Sequence, residues 1–242
     1  MGTVTGLAGG EKLVAIDVRP ATGQLYGLGD KSGVYQLDQR SAGATMKSTL
    51  KTADGAALSL QGARFGIDFN PTVDRLRVIS DAGQNLRINA DTGATTVDQV
   101  IAYGSGDRSS GRPKAVAAAY TNNDNDSYVT PALIPFNRPA ATGTKLYTID
   151  SARDSLAVQD PPNDGTLKTV GRLRQRTTSA VGFDVYSFPN SEGDTASNTG
   201  FASLSRGGSA RLYKVNLATG RAKRVKGARS AFSAVQDIAI VP

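Results

Sequence analysis

Four aspartates recur in one local setting: LVAIDVRP holds Asp17, RFGIDFNP holds Asp68, AVGFDV holds Asp184 and VQDIAIVP holds Asp237. An aspartate set among Ile, Val and Phe on an apolar strand has two uses. Carried by symmetry to one radius about an axis, the four carboxylates form a cation site, for which Ca²⁺ is the ion suited to hard oxygen ligands. Four such groups about 7 Å apart repel by roughly 2 kcal/mol per pair at an effective dielectric near 20, so the ring demands a cation or protons. Alternatively, each carboxylate accepts backbone or hydroxyl hydrogen bonds from a turn and holds neighbouring modules in register. The structural use is favoured, because the equivalent place in KAVAAAYTNN is Ala119 and each Asp alternates with core residues such as Ile16 and Val18.

Other chemistry is narrowed by what is missing. The 242 residues include no Cys, His or Trp, which removes disulfides, thiolate zinc sites, imidazole ligands and every His-dependent triad. No Gly-x-Ser-x-Gly elbow or Ser-x-x-Lys pair marks an activated hydroxyl. Nothing places two carboxylates across one glycosidic bond. The run from Asn122 to Asp126 offers oxygens for Ca²⁺, but an EF-hand beginning at Asp124 would put Val129 where Gly is needed and Pro135 where Glu is needed. That run, and Asp160-Pro-Pro-Asn-Asp-Gly165, read as turns. The stretch from Gly104 to Gly111 lacks the Gly-Lys-Ser/Thr ending of a phosphate loop and reads as a flexible loop.

Charge is uneven. Residues 1–100 carry 10 basic and 10 acidic side chains and residues 101–167 carry 6 and 7, whereas residues 168–242 carry 12 and 4. Within that last third, Arg221, Lys223, Arg224, Lys226 and Arg229 form a run whose strand-period alternation changes phase at Arg224. A solvated outer strand is the simpler reading, and a polyanion or partner contact is the functional one. Only 6% of residues are aromatic and no recognition helix accompanies the run, so nucleic acid is disfavoured.

The elements that must position these residues come from an internal repeat. Asp17 to Asp68 is 51 residues, a further 51 reaches Ala119, 65 more reaches Asp184, and 53 more reaches Asp237. The third strand of each unit is expected to end in Asp or Asn: VYQLD, LRINADTG, LYTID and LYKVNLATG. The runs are short, rich in Val, Ile, Leu, Thr and Tyr, and punctuated by Gly or Asn-Asp, which is strand and turn chemistry. Four strands per unit of about 50 residues predicts an all-β fold, a β-propeller of five blades across residues 1–242 as one domain. The final unit stops after one strand, so the closing blade is expected to be incomplete and formed by both chain ends. Thr3 to Leu7 would supply its outer strand, and Thr3, Val4, Thr5, Val235, Ile238 and Ile240 would lie on unpaired edges open to a partner.

The phrases GLAGGEKLVAIDVRPATGQLYGLG, FGIDFNPTVDRLRVISDAGQNLRINADTG, and LYTID with QDPPNDGTLKTVG resemble the bacterial domain-of-unknown-function family 4394, from about Thr5 to Pro242. The resemblance implies a propeller-like repeat in an exported or surface protein and transfers no catalytic residue. It also implies an upstream pair of strands that would fill the middle of the closing blade, by strand addition if another chain supplies them. The functional expectation is a non-enzymatic, extracytoplasmic interaction or structural subunit that binds a protein partner or itself. A calcium-dependent hydrolase or sugar-binding propeller is the first alternative, and a polyanion binder the second. No required cofactor is expected, with Ca²⁺ as the one candidate. No apolar run is long enough to span a membrane, and the sequence as given shows no signal peptide.

Overall fold

The computed structural model describes residues 2–123, 143–178, 180–191, 193–227, 232–233 and 235–241. Strands dominate, and the described helix is one 3-10 turn, Ala8–Gly10. Blade 1 comprises β1 (Leu13–Arg19), β2 (Gln24–Gly29), β3 (Gly33–Leu37) and β4 (Ala44–Thr49). Blade 2 comprises β5 (Phe65–Asn70), β6 (Arg75–Ser80), β7 (Asn85–Ile88) and β8 (Thr95–Val97). After the short β9 (Ala102–Tyr103), blade 3 runs through β10 (Ala115–Tyr120), β11 (Leu146–Asp150), β12 (Ser155–Gln159) and β13 (Thr166–Arg172), so LYTID is the second strand of its blade and not the expected third. Blade 4 holds β14 (Val181–Pro189), β15 (Thr195–Arg206), β16 (Ser209–Val215) and β17 (Ala222–Arg224), with β18 (Phe232–Ser233) pairing β16. Within each blade, the successive strands of the four-strand meander pair antiparallel.

This is a propeller-like ring of four blades, which corrects the expected five. The fifth repeat contributes one extended segment, residues 235–241, with no ladder among the described residues. The N-terminal strand also goes elsewhere. Thr5 makes a parallel bridge to Gly43 at the entry to β4, so it joins blade 1 rather than pairing with residues 235–241. Its place follows a rule of the fold. Lys51, just beyond blade 1, bridges Ala94 of blade 2, and β9, beyond blade 2, pairs in parallel with β13 of blade 3. Leu173, beyond blade 3, accepts the Ala222 amide of blade 4 at 3.0 Å. Thr5 takes on blade 1 the position that Lys51 takes on blade 2.

Apolar side chains are buried between blades, which is why the inner strands read as near-continuous hydrophobic runs rather than strict alternation. Ala15, Tyr26 and Leu28 pack with Ile67, Phe69 and Val78 between blades 1 and 2. Ile79 and Ile101 meet Ala118 and Leu146 between blades 2 and 3, and Ala117 and Ala119 meet Phe183 and Val185 between blades 3 and 4. Two inner strands approach so closely that a side chain is excluded: a Cβ on Gly66 would lie 2.4 Å from the Ala117 Cα, and one on Gly182 2.5 Å from the Ile238 amide nitrogen. Gly182 thereby places residues 235–241 against β14, in the seat of a fifth inner strand.

Candidate functional site

The inner strands bring the repeated aspartates to the centre and orient them all the same way round the ring. Asp17 Oδ2 accepts the Phe69 amide of blade 2 at 2.7 Å, and Asp68 Oδ1 accepts the Tyr120 amide of blade 3 at 3.1 Å. Asp184 Oδ2 accepts the Ile240 amide at 2.6 Å, and Asp237 Oδ2 accepts the Ile16 amide of blade 1 at 3.0 Å. Each carboxylate thus reaches forward to the next inner strand. The donors are strand amides rather than the turn amides expected from the sequence. The inner strand's other edge is used by its own sheet, so these amides would otherwise lack a backbone partner. At Ala119 the relay is broken. There the seam between blades 3 and 4 is bonded by Asn122 and Asn123 of one side with Asn198 and Ser187 of the other, at 2.8–3.1 Å.

Asp17, Asp68 and Asp184 converge: each offers a carboxylate oxygen, and the three oxygens lie within 4.8 Å of one another. All three are buried. Burial lifts Asp17 well above the ordinary carboxylate range, and the neighbouring charge of Asp184 adds to it. Asp68 is raised likewise by burial and then by Asp17 and Asp184. Asp184 is pushed up to about 6 by burial, against the lowering effect of the Ile240 and Val185 amides. Asp237 is also raised by burial, although the Ile16 amide opposes the shift. Burial and mutual repulsion thus favour the protonated form of these carboxyls, or their pairing with a cation, over three bare charges.

The remaining sequence candidates are dispersed. Arg221 and Lys223 line an open cleft of about 970 Å³ beside blades 3 and 4. Arg224 and Lys226 are exposed nearby, and Arg229 lies outside the described residues. Asp124, Asp126, Val129 and Pro135 of the supposed Ca²⁺ run also lie outside them. Thr3 and Val4 carry no ladder, while Val235, Ile238 and Ile240 are half-buried at the closing position.

Two arginine networks, one of them buried, escaped the sequence reading. Arg77, 2% exposed, donates to Asp98 at 2.6 Å and to Asn85 and Asn163 at 2.8 Å each, tying blade 2 to the β12–β13 turn of blade 3. Arg19 joins Asp74 and Asp91 of blade 2 and lies 5.8 Å from the Tyr26 ring centroid. The signal for Arg77 was its period-two register with Ile79, which faces a core once both blade faces are covered.

A family profile described as "Domain of unknown function (DUF4394)" matches residues 1–239. No curated protein matches. Among solved structures, a protein of unknown function from Bacteroides thetaiotaomicron aligns with TM-score 0.55 at 15% identity, over 96% of this chain and 55% of that one. A protein from Lactobacillus plantarum aligns with TM-score 0.43 at 15% identity, over 99% and 61%. A putative 6-phosphogluconolactonase from Bacteroides fragilis aligns with TM-score 0.41 at 13% identity, over 97% and 60%. The chain therefore spans 55 to 61% of the length of these three proteins. Of the three, the first bears on this chain, and at 15% identity on its fold alone.

Proposed function

We propose, for a chain that belongs to the family described as Domain of unknown function (DUF4394), that it is a non-enzymatic, extracytoplasmic interaction module that accepts a strand from a protein partner at the closing position of its ring. One observation carries the reading. Residues 235–241 sit as an inner strand, yet their backbone forms no ladder with any described residue. The Ile238 and Ile240 amides bond the Asp237 and Asp184 carboxylates. In an extended chain, successive amides point to opposite edges, so those of Asp237 and Ala239 face the other way, toward the seat of a second strand. An edge of this kind is a template for strand addition, in which main-chain bonds supply affinity.

Light scattering over a concentration series, combined with amide hydrogen exchange, tests this, with a second copy of the chain as the first partner. The expected result is association accompanied by protection of the 235–241 amides, lost in Ala239→Pro. A monomer whose 235–241 amides are already protected overturns it. The extracytoplasmic placement rests on the family resemblance, and cell fractionation tests it separately.

A second reading is favoured by the convergence of Asp17, Asp68 and Asp184: a cation, with Ca²⁺ as the candidate, held where three buried carboxylates meet. Calcium at millimolar concentration should then raise the melting temperature, and Asp68→Asn should abolish the rise. A melting temperature indifferent to calcium removes this reading.

A further inference from the structure

We propose that the outer seam between blades 3 and 4 binds a linear acidic polysaccharide, one bearing carboxylate or sulfate groups, in a cleft walled by Arg172, Arg174 and Arg221. The proposal is independent of strand addition at the closing position.

Two clefts, of about 970 and 1010 Å³, adjoin along this seam and share Ala218, Thr219 and Arg221 as a common wall. Blade 3 contributes Arg153 and Arg172, the connection after it Arg174, and blade 4 contributes Lys214, Arg221 and Lys223. Among the described residues, neither lining contains a carboxylate. The cations outnumber the carboxylates behind the wall, Asp150 beside Arg153 and Asp107 beside Thr169 and Arg108, and the surplus raises the local potential and draws in an anion.

The cations divide into fixed and free. Arg108 donates to the Thr169 carbonyl at 3.1 Å, and Arg153 donates to Asp150 at 2.7 Å while lying 4.9 Å from the Tyr103 ring centroid. These two are committed to the wall. Arg172, Arg174, Arg221 and Lys223 are exposed and form no side-chain hydrogen bond or ion pair with any described residue. Three of the four are arginines, whose planar fork engages carboxylate or sulfate through two parallel bonds. Arg174 is held at φ 56°, a left-handed conformation that strains a non-glycine residue.

The lining also selects the class of anion. Thr169 and Asn198 are committed to Asp107 and Asn122, but the Asn216 Nδ2 amide and the Ser110 and Thr199 hydroxyls form no side-chain hydrogen bond with any described residue and suit sugar hydroxyls. Among the described residues the one aromatic of the linings, Tyr147, is only 8% exposed, so these residues offer no face on which nucleic-acid bases could stack. The continuity of the two clefts suits a chain rather than a single small anion.

Binding of fluorescein-labelled dextran sulfate and of polygalacturonate, measured by anisotropy against sodium chloride, tests the proposal, with neutral dextran and a single-stranded DNA oligomer as comparators. Both acidic polysaccharides should bind with a steep salt dependence, and neutral dextran should not bind. The triple variant Arg172→Ala, Arg174→Ala, Arg221→Ala should lose affinity by about a hundredfold and lower the salt slope by about one per cation removed. A charge-matched triple on the blade 1 side, Lys12→Ala, Arg40→Ala, Lys47→Ala, should change affinity less than about threefold. Arg221→Glu alone gives a second measurement should the triple fold poorly. Equal losses in the two triples, tighter binding of DNA than of both polysaccharides, or no polysaccharide binding at low salt each overturn the proposal.

Discussion

The carboxylate of Asp237 accepts the amide of Ile16 at 3.0 Å, joining positions 221 residues apart in the chain. That bond closes a directional relay in which Asp17, Asp68 and Asp184 each hold the next inner strand. The ring is therefore completed at its centre by a side chain, although its fifth sheet is absent among the described residues.

Replacing Asp237 by Ala removes acceptors for both the Ile16 and Ile238 amides. Each buried donor left unpaired costs about 1–3 kcal/mol. The midpoint of urea unfolding should fall by a corresponding amount, and residues 235–241 should become the first to lose exchange protection. An unchanged midpoint would show that the segment is held by its apolar contacts alone.

Stability should decline between about pH 4 and pH 7. Asp184 titrates in the folded protein at about 6, above its ordinary 3.8, so the native state keeps a proton that the unfolded chain has released. Stability therefore falls as pH rises through that interval, by an amount of order 3 kcal/mol for a shift of about two units. Asp17, Asp68 and Asp237 act in the same direction. Five groups act oppositely: Asp98, which burial would raise but Arg87 and Arg77 hold low; Asp107, which burial would raise but Thr169 and Ser109 hold low; Asp91, held low by Arg19; and the exposed Asp38 and Asp54, held low by the Ser41 amide and the Thr52 hydroxyl. Their contributions are lost as pH drops below about 4. Urea midpoints from pH 4.5 to 7 should descend, and Asp184→Asn should shallow the descent; a rising curve contradicts the assignment. Bound calcium would also flatten it.

Arg77→Met should destabilise by about 3 kcal/mol, because Asn85, Asn163 and part of the Asp98 carboxylate lose a buried donor. Arg77→Lys should recover little, since an ammonium cannot reach the separate partners that a guanidinium spans. Thermal unfolding of the two variants distinguishes lost charge from lost geometry, and a lysine variant as stable as the parent would refute the geometric account.

Gly66→Ala should cost about 1–3 kcal/mol by forcing β5 away from β10, whose Ala117 backbone lies within 2.4–2.5 Å of the new methyl. Gly143→Ala adds a methyl that meets no atom within 4 Å, at a φ outside the left-handed region as at Gly66, and provides the comparison for the methyl alone. Equal losses at the two sites would dismiss the close approach of the inner strands.

The repeating unit was legible because strand period, turn residues and the returning aspartate all specify one blade, and Asp17, Asp68 and Asp184 fall on the inner strands that the pattern assigned them. The number of complete sheets was not legible. An apolar run such as Val235 to Val241 has strand composition, but only neighbouring backbone can make it a strand. Thr5 was misassigned for a related reason: its bridge to Gly43 is set by the crossover geometry, which leaves no mark in local composition. The convergence of three aspartate oxygens depends on the ring's curvature, which pairwise spacing does not encode. The surplus of cations after residue 168 announced a basic surface, yet which arginines share a wall is decided by how blade 3 meets blade 4.

One joint of the circle is exempt from proton control. Where Ala119 stands in place of an aspartate, blades 3 and 4 are fastened by asparagine amides and a serine hydroxyl, none of which titrates. Acid relieves the charged joints on either side and leaves this one as it was, while alkali strains them and again leaves it untouched. The place where the circle first parts should therefore migrate with acidity, from the asparagine joint in mild acid to the aspartate joints at neutrality and above.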